Sequence, residues 1–147
     1  MSGKNWAVLK DNKDVVIDTN LLVRYLTDDE PQKAKAVDTL LERARKGALK
    51  ILLPSVVIAE LVWVLESFYK MAEDKIADLV EAILNTPGVD IQDKSVIKGA
   101  LKLYRSNRID LIDAWIIEFA KFKGAELIYT FDKKHFKGTE EIEVMSP

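Results

Sequence analysis

The chain has 147 residues, of which 48% are hydrophobic and 31% charged, and its formal net charge at pH 7 is −2. A chain of this size can bury a single core, and its composition is that of a globular protein rather than a disordered one. The absence of cysteine excludes disulfides and thiolate chemistry and suits a reducing cytoplasm. An acidic chain is unlike a generic polyanion binder, so binding of nucleic acid must be local or mediated by metal. Neither a signal peptide nor a long apolar stretch is present, which predicts a cytoplasmic protein with no membrane contact.

The predicted elements alternate between short apolar strands and helices. A polar opening segment, residues 1–13, is expected to be flexible or peripheral, and an apolar strand from Val15 to Ile17 then runs into Asp18. Further strands are predicted at residues 51–53, 89–91 and 127–130, with an edge strand at 142–145, and helices at 21–26, 30–46, 56–69, 74–84, 93–106 and 109–123. This order predicts one domain over residues 1–147, an α/β protein with a three-layer α/β/α sandwich and a central mainly parallel sheet that includes the first strand.

The helix predicted at residues 56–69 is apolar on nearly every face. A helix of this kind is either wholly buried or covered by a partner. The pattern therefore also predicts a homodimer.

Two aspartates follow apolar strands, and the sequence places both where ligands are expected. Asp18 ends the first strand and Asp132 follows the strand at residues 127–130. In open parallel sheets ligands gather beyond the carboxyl ends of the strands, so both side chains are expected at the same edge of one sheet. Taken singly, either aspartate could instead be a helix cap or a turn residue.

Three further carboxylates lie on predicted helices. Glu60 stands among apolar neighbours, where an unpaired carboxylate is costly to bury, although its place near the amino end of the helix also suits the helix dipole. Asp110 and Asp113 are one helical turn apart at the start of the helix predicted at residues 109–123. Asp110 is favoured as the N-cap of that helix.

Four segments in this order resemble the PIN-domain family, and most closely its VapC-type ribonuclease toxins. They are VIDTNLLVRYL at residues 16–26, PSVVIAELVWVL at 54–65, DLIDAWII at 110–117 and IYTFDKKHF at 128–136. Each segment alone is weak, but four in the family's order over nearly the whole chain are specific. Leu111 and Ile112 replace the Phe-Ala often found between the two late aspartates.

The resemblance implies a metal-dependent endoribonuclease held inactive by an antitoxin, with 5′-phosphate and 3′-hydroxyl products. It implies that a catalytic metal site is formed by Asp18, Glu60, Asp113 and Asp132, with Asp110 as a less certain ligand and Thr19, Asn20 and Thr130 as supporting polar groups. Carboxylate oxygens suit Mg²⁺ or Mn²⁺ rather than zinc, and two such ions would clamp a phosphate and activate water.

Cations near the predicted site are candidates for binding substrate phosphates. These are Arg24, Arg108, Lys133 and Lys134. A second basic group, Lys98, Lys102 and Arg105, is equally well interpreted as a solvated helix face. His135, the single histidine, is favoured as a surface or packing residue, and one histidine excludes a metal-free nuclease that uses a histidine pair.

Three alternatives stay open at the level of sequence. A PIN nuclease that processes or surveys RNA would carry the same acids as a toxin. A receiver-like or metal-binding module would also place acids beyond parallel strands, but it gives no role to Glu60 or to the pair Asp113 and Asp132. An inactive scaffold would use the apolar helix at residues 56–69 for assembly.

Overall fold

The computed structural model describes residues 13–136 and 139–147. The opening segment predicted to be flexible or peripheral lies outside the described residues, except for Lys13. In chain order the elements are β1 (Lys13–Val16), α1 (Thr19–Leu26), α2 (Pro31–Arg45), β2 (Leu49–Leu53), α3 (Ser55–Ser67), α4 (Glu73–Leu84), β3 (Val89–Ile91), α5 (Lys94–Ser106), α6 (Leu111–Lys123), β4 (Leu127–Tyr129), a 3-10 helix (Lys133–Phe136) and β5 (Glu143–Met145).

The described chain divides into two compact units. Unit 1 comprises residues 13–61 and Ala82–Gln92, and unit 2 comprises Val62–Glu81 and Asp93–Pro147. The single domain expected over residues 1–147 stays a prediction.

Unit 1 is built on a parallel sheet with the strand order β1-β2-β3. Val15 pairs with Ile51, and Ile51 in turn pairs with Val89. Ile51 is fully buried, as expected for the middle strand, whereas Val16 of β1 is 66% exposed. Within unit 1, β2 therefore occupies the centre of the sheet and β1 lies on one side of it.

Helix boundaries in unit 1 follow from local chemistry. Asp18 caps α1, since its carboxylate accepts a hydrogen bond from the backbone N–H of Leu21 at 3.3 Å. Pro31 opens α2, where its fixed φ suits the first turn. The buried residues of α2 recur at helical spacing and supply part of the unit 1 core: Val37, Leu41 and Ala44.

Unit 2 contains the α5–α6 pair and a second parallel sheet. Gly99 permits close packing of the two helices, because a Cβ there would lie 2.8 Å from Cδ of Glu118. Helix α6 ends at Gly124, as predicted, with the left-handed φ of +74° that favours glycine. Asp93 occupies the predicted N-cap position of α5, but its side chain makes no capping hydrogen bond.

Asp18 and Asp132 follow strands of different sheets among the described residues. β4 pairs with β5, with Ile128 opposite Val144, while β1 pairs with β2. Because β1 belongs to unit 1 and β4 to unit 2, the expectation that Asp18 and Asp132 lie at one edge of a shared sheet stays a prediction. All pairings are parallel and helices separate most consecutive strands, which agrees with the predicted α/β class.

Candidate active site

Two predicted acids lie at the amino end of α6 in unit 2. Asp110 is the N-cap, as favoured from the sequence, and its Oδ2 accepts a hydrogen bond from the N–H of Ile112 at 3.1 Å. Asp113 lies in the first turn of the same helix, with 23% of its side chain exposed. A helix amino end carries partial positive charge and stabilises such carboxylates.

The carboxyl group of Asp113 has a shifted pKa. Its pKa is raised, first by burial and then by the negative charges of Asp110 and Asp132, while His135 acts in the opposite direction. Neighbouring negative charges disfavour the ionised form of a carboxyl group, and a bound cation would relieve that cost. Asp113 therefore has the electrostatic setting of a cation ligand.

His135 lies close to Asp113 and is exposed, so the interpretation of this residue as a surface or packing histidine stays a prediction. Its Nδ1 lies 3.9 Å from Oδ2 of Asp113, and 53% of its side chain is exposed. The backbone N–H of His135 donates to the carbonyl of Asp132 at 2.9 Å, so the 3-10 turn brings the imidazole back toward α6. The spacing of three residues between Asp132 and His135 was the signal available in the sequence.

Thr130 holds the turn that carries Asp132. Its hydroxyl accepts a hydrogen bond from the N–H of Asp132 at 3.0 Å, and its own N–H donates to the carbonyl of Met145 at 2.9 Å. The Asp132 side chain is exposed. Thr130 thus has the local geometry expected of a supporting polar group.

An open cavity of about 560 Å³ lies beside these acids. Its lining comes from the α5–α6 connection, the start of α6 and the 3-10 helix: Asn107, Arg108, Ile109, Asp110, Asp113, Lys134 and His135. Two of the predicted substrate-binding cations, Arg108 and Lys134, belong to this lining. Lys133 does not line this cavity.

Unit 1 carries the other predicted site residues. Asp18 is exposed at the start of α1, Thr19 is 8% exposed and Asn20 is exposed. Glu60 lies on α3 and is exposed, so the apolar residues around it in the sequence do not bury its carboxylate. The metal role of Asp18 and Glu60 stays a prediction.

Arg24 of unit 1 is already paired with acids of its own unit. Its Nε lies 2.8 Å from Oε2 of Glu30, and its Nη1 lies 3.6 Å from Oδ2 of Asp29. The pairing anchors α1 to the residues that precede α2. A role in substrate binding would require Arg24 to exchange these partners.

Glu66 and Tyr104 form a polar pair in unit 2 that was not predicted from the sequence. The Tyr104 hydroxyl, on a side chain that is 1% exposed, donates to Oε2 of Glu66 at 3.0 Å. Burial raises the pKa of Glu66, the hydrogen bond from Tyr104 lowers it, and the charge of Asp110 raises it again. Burial and the Glu66 carboxylate both raise the pKa of Tyr104, which stays protonated and donating. Nothing in the apolar run of α3 marks Glu66 as the partner of Tyr104.

We expect Tyr104→Phe to destabilise the fold by roughly 1–2 kcal/mol at neutral pH, because it leaves the Glu66 carboxylate without its donor. The loss of that donor raises the folded-state pKa of Glu66 further. Stability associated with a raised carboxyl pKa is present in acid and is lost as pH rises through the folded-state value. The deficit measured by urea unfolding should therefore shrink as pH falls below the range where Glu66 ionises, and a deficit independent of pH would contradict this account.

A divalent cation requires several oxygen or nitrogen ligands at one place. Within residues 13–136 and 139–147, no three His, Asp or Glu side chains form a group that could hold a metal ion. Mg²⁺ keeps several waters and is commonly bound by one or two carboxylates together with substrate phosphates. The Asp110 and Asp113 carboxylates, with Asp132 near enough to act on Asp113, are of the kind and number that this mode requires.

No helix in the described part of the chain combines the length and apolar character needed to cross a membrane.

Comparison with known proteins identifies the class. The model of the PIN domain matches residues 15–141. The chain therefore belongs to the PIN-domain family, and this membership confirms the predicted α/β, PIN-like fold class.

A curated relative gives a more specific similarity within the PIN-domain family. The chain is 30% identical over 122 residues to a protein described as VapC ribonuclease from Aquifex aeolicus, covering 83% of this chain and 90% of the relative. This relationship confirms the predicted similarity to the VapC-type branch. Among solved structures, the chain matches one in the crystal structure of VapBC2 from Rickettsia felis bound to a DNA fragment from their promoter, with 17% identity, coverage of 92% of this chain and 98% of that chain, and a TM-score of 0.35.

Proposed function

We propose that this protein is a divalent-metal-dependent endoribonuclease, the toxin of a VapBC-type toxin–antitoxin pair, acting in the cytoplasm. The observation that carries the proposal is the cavity of unit 2, where Asp110 and Asp113 share one lining with Arg108 and Lys134. Acids suited to a hard cation next to cations suited to phosphates are the combination that phosphodiester hydrolysis requires. Membership of the PIN family and the similarity to a VapC ribonuclease support the same activity.

The proposed metal is Mg²⁺ or Mn²⁺, with two ions during catalysis. Asp18, Glu60, Asp113 and Asp132 would hold them, with Asp110 as a further ligand and with Thr19 and Asn20 as supporting groups beside Asp18. When bound, the ions supply Lewis-acid stabilisation of the phosphate and a water of lowered pKa.

The chain's own residues have separate tasks in this proposal. Asp110 fixes the first turn of α6 through its cap hydrogen bond and so fixes Asp113. Thr130 fixes the turn that carries Asp132, and His135 stands against the Asp113 carboxylate. Arg108, Lys133 and Lys134 hold RNA phosphates near the acids.

An antitoxin is the proposed protein partner, and a groove of unit 1 suits it. A cavity of about 350 Å³ between α1 and α2 is lined mainly by apolar side chains, with Arg24 and Lys33 among its polar residues. An amphipathic segment that carries apolar anchors and carboxylates would fill such a groove. A partner bound in this groove would contact Asn20, which follows Asp18 by two residues in the sequence.

A homodimer of a single domain is proposed as the assembly. Trp63 of α3 is 65% exposed and Phe68, just beyond the helix, is 75% exposed. Exposed aromatic side chains of this size are typical of protein interfaces. These residues support the interpretation of α3 as a partner-covered helix.

The same chemistry would serve a PIN nuclease that processes or surveys RNA rather than a toxin. Growth of cells that express the chain with and without a co-expressed partner separates the two roles.

We expect purified protein to cut single-stranded RNA in the presence of Mn²⁺ or Mg²⁺ and to lose that activity when EDTA is added. Sequencing of the RNA fragments should find 5′-phosphate and 3′-hydroxyl ends. These ends are expected when water adds to the phosphorus and the 3′ oxygen leaves, a hydrolysis that bound ions would promote by lowering the pKa of the water. Restoration by excess Mn²⁺ is the control for damage by the chelator. Cleavage that persists in EDTA, or that leaves a 2′,3′-cyclic phosphate, would reject the proposed chemistry.

A further inference from the structure

Arg108 has a backbone conformation that an arginine does not favour. Its φ is +53°, and the other non-glycine residues of positive φ in the described chain are Lys70 and Asp93. A left-handed backbone crowds the Cβ of any L-residue, whereas glycine adopts it without strain. Strained residues of this kind tend to occur at functional sites. The strained backbone therefore indicates a functional role for the Arg108 side chain.

The Arg108 side chain lines the cavity beside α6 and forms no ion pair with an acid in the part of the chain that the structure describes. Neither Arg108 nor Lys134 forms an ion pair with a carboxylate of the described residues, although both share the cavity lining with Asp110 and Asp113. Arg105, one turn earlier, does form such a pair, with its Nη2 2.7 Å from Oδ1 of Asp78. Two cations beside the acids are therefore available to an external anion.

The cavity is large enough for a nucleotide and has suitable surfaces for one. Its volume of about 560 Å³ falls within the range of small-ligand sites. The lining also includes Ile109, which is 5% exposed, and the imidazole of His135. An aliphatic surface and a flat ring can receive the face of an unpaired base, as in other sites for single-stranded nucleic acid.

We infer that this cavity is the subsite for the nucleotide adjacent to the cleaved phosphate of single-stranded RNA, and that Arg108 is its phosphate-binding, positioning residue. Arg108 and Lys134 bind the phosphate, while Ile109 and His135 receive the base. The strained backbone of Arg108 is retained because glycine, which would relax it, has no guanidinium. This inference rests on the proposed function for the choice of RNA as ligand.

The chain offers a matched pair of variants for the test. Arg108→Gly removes the guanidinium and relieves the left-handed strain, and Lys70→Gly does the same for a cation of equal strain outside the cavity lining. Both full-length variants should melt within about 2 °C of each other and no lower than wild type by more than that amount, since each exchanges backbone strain for unfolded-state entropy.

Binding separates the two variants. Fluorescence anisotropy with labelled oligouridylate in EDTA should show affinity about tenfold weaker for Arg108→Gly and unchanged for Lys70→Gly. The slope of log affinity against log salt should fall by about 0.7 for Arg108→Gly, the value for one phosphate contact of a single strand. Arg108→Lys should keep the slope and recover part of the affinity, because a point charge remains. A purely structural role would not change the salt slope.

Several results would overturn the inference. These are wild-type affinity and slope in Arg108→Gly, equal losses in both glycine variants, equal binding of oligouridylate and of duplex RNA, or no binding of RNA by wild type. Binding in EDTA does not depend on cleavage. If wild type binds the strand through Arg108 but never cuts it, the proposed nuclease function fails, and the cavity stands as a site for single-stranded RNA without the link to a cleaved phosphate.

Discussion

Replacement of Asp18 or Asp113 by asparagine is expected to lower RNA cleavage about a thousandfold, and the double variant should be no slower than either single one. An amide keeps the shape of the carboxylate but loses the charge that a hard cation needs. Asp18 belongs to unit 1 and Asp113 to unit 2, so equal and non-additive losses would show that both act on the same catalytic step. Initial rates with saturating Mn²⁺ provide the measurement.

Asp38→Asn is the matched control, because Asp38 is an exposed aspartate of α2 remote in sequence from every site segment. It should keep the wild-type rate. Additive losses for Asp18 and Asp113 would mean that the two carboxylates contribute independently, and unchanged rates would remove them from the catalytic site.

Asp113→Asn should also alter stability in a direction that a folding defect would not give. The folded-state pKa of Asp113 is raised, so the stability linked to it is present in acid and is lost as pH rises through that value. The asparagine variant has no such loss. In EDTA at neutral pH its melting temperature should therefore be above that of wild type.

The helices were largely predictable from the sequence because their signals are local. Pro31 and Gly124 mark a start and an end that the structure reproduces, and α2 was predicted at residues 30–46 against Pro31–Arg45. Asp110 was favoured as a cap and is one. Capping and periodicity act within a few residues, so one sequence contains the information they need.

Strand order was less predictable, because pairing depends on distant residues. The run Val15 to Ile17 has the apolar character of a central strand, yet β2 lies between β1 and β3 in the sheet of unit 1. Apolar runs of this length do not reveal which strands they pair with. The expectation that Asp18 and Asp132 share one sheet stays a prediction, because their strands belong to different units.

The candidate site was predictable in its acids but not in their neighbours. Asp113 and Asp132 were predicted from the family resemblance. In the structure, burial raises the pKa of Asp113, and the charge of Asp132 raises it further. Arg108 was a candidate for substrate binding, but its positive φ was not predicted, and neither was the hydrogen bond between Glu66 and Tyr104. Contacts between helices and a positive φ at arginine have no local sequence signal. Such exceptions to local rules are expected mainly at strained or functional positions.

Gly88→Ala is expected to be the most destabilising single-methyl change in unit 1. Gly88 precedes β3 with a φ of +86°, and a Cβ there would lie 2.7 Å from the carbonyl carbon of Ala44 and closer still to its oxygen. Its own carbonyl accepts a hydrogen bond from the N–H of Ile51 at 2.8 Å, so the residue cannot shift away from α2 without disturbing β2. Left-handed strain and overpacking together should cost roughly 3–5 kcal/mol, or about 10 °C in melting temperature.

Gly47→Ala isolates the part of this cost that comes from packing. Gly47 has a similar φ of +78°, but a Cβ there would meet no atom within 4 Å. This control should therefore lose only the backbone term, roughly 1 kcal/mol. Urea unfolding of both variants measures the difference, and equal losses would mean that the contact with Ala44 relaxes freely. A large difference would instead show that the close approach of β3 to α2 requires glycine at position 88, because the fixed carbonyl of Ala44 leaves no room for a methyl group.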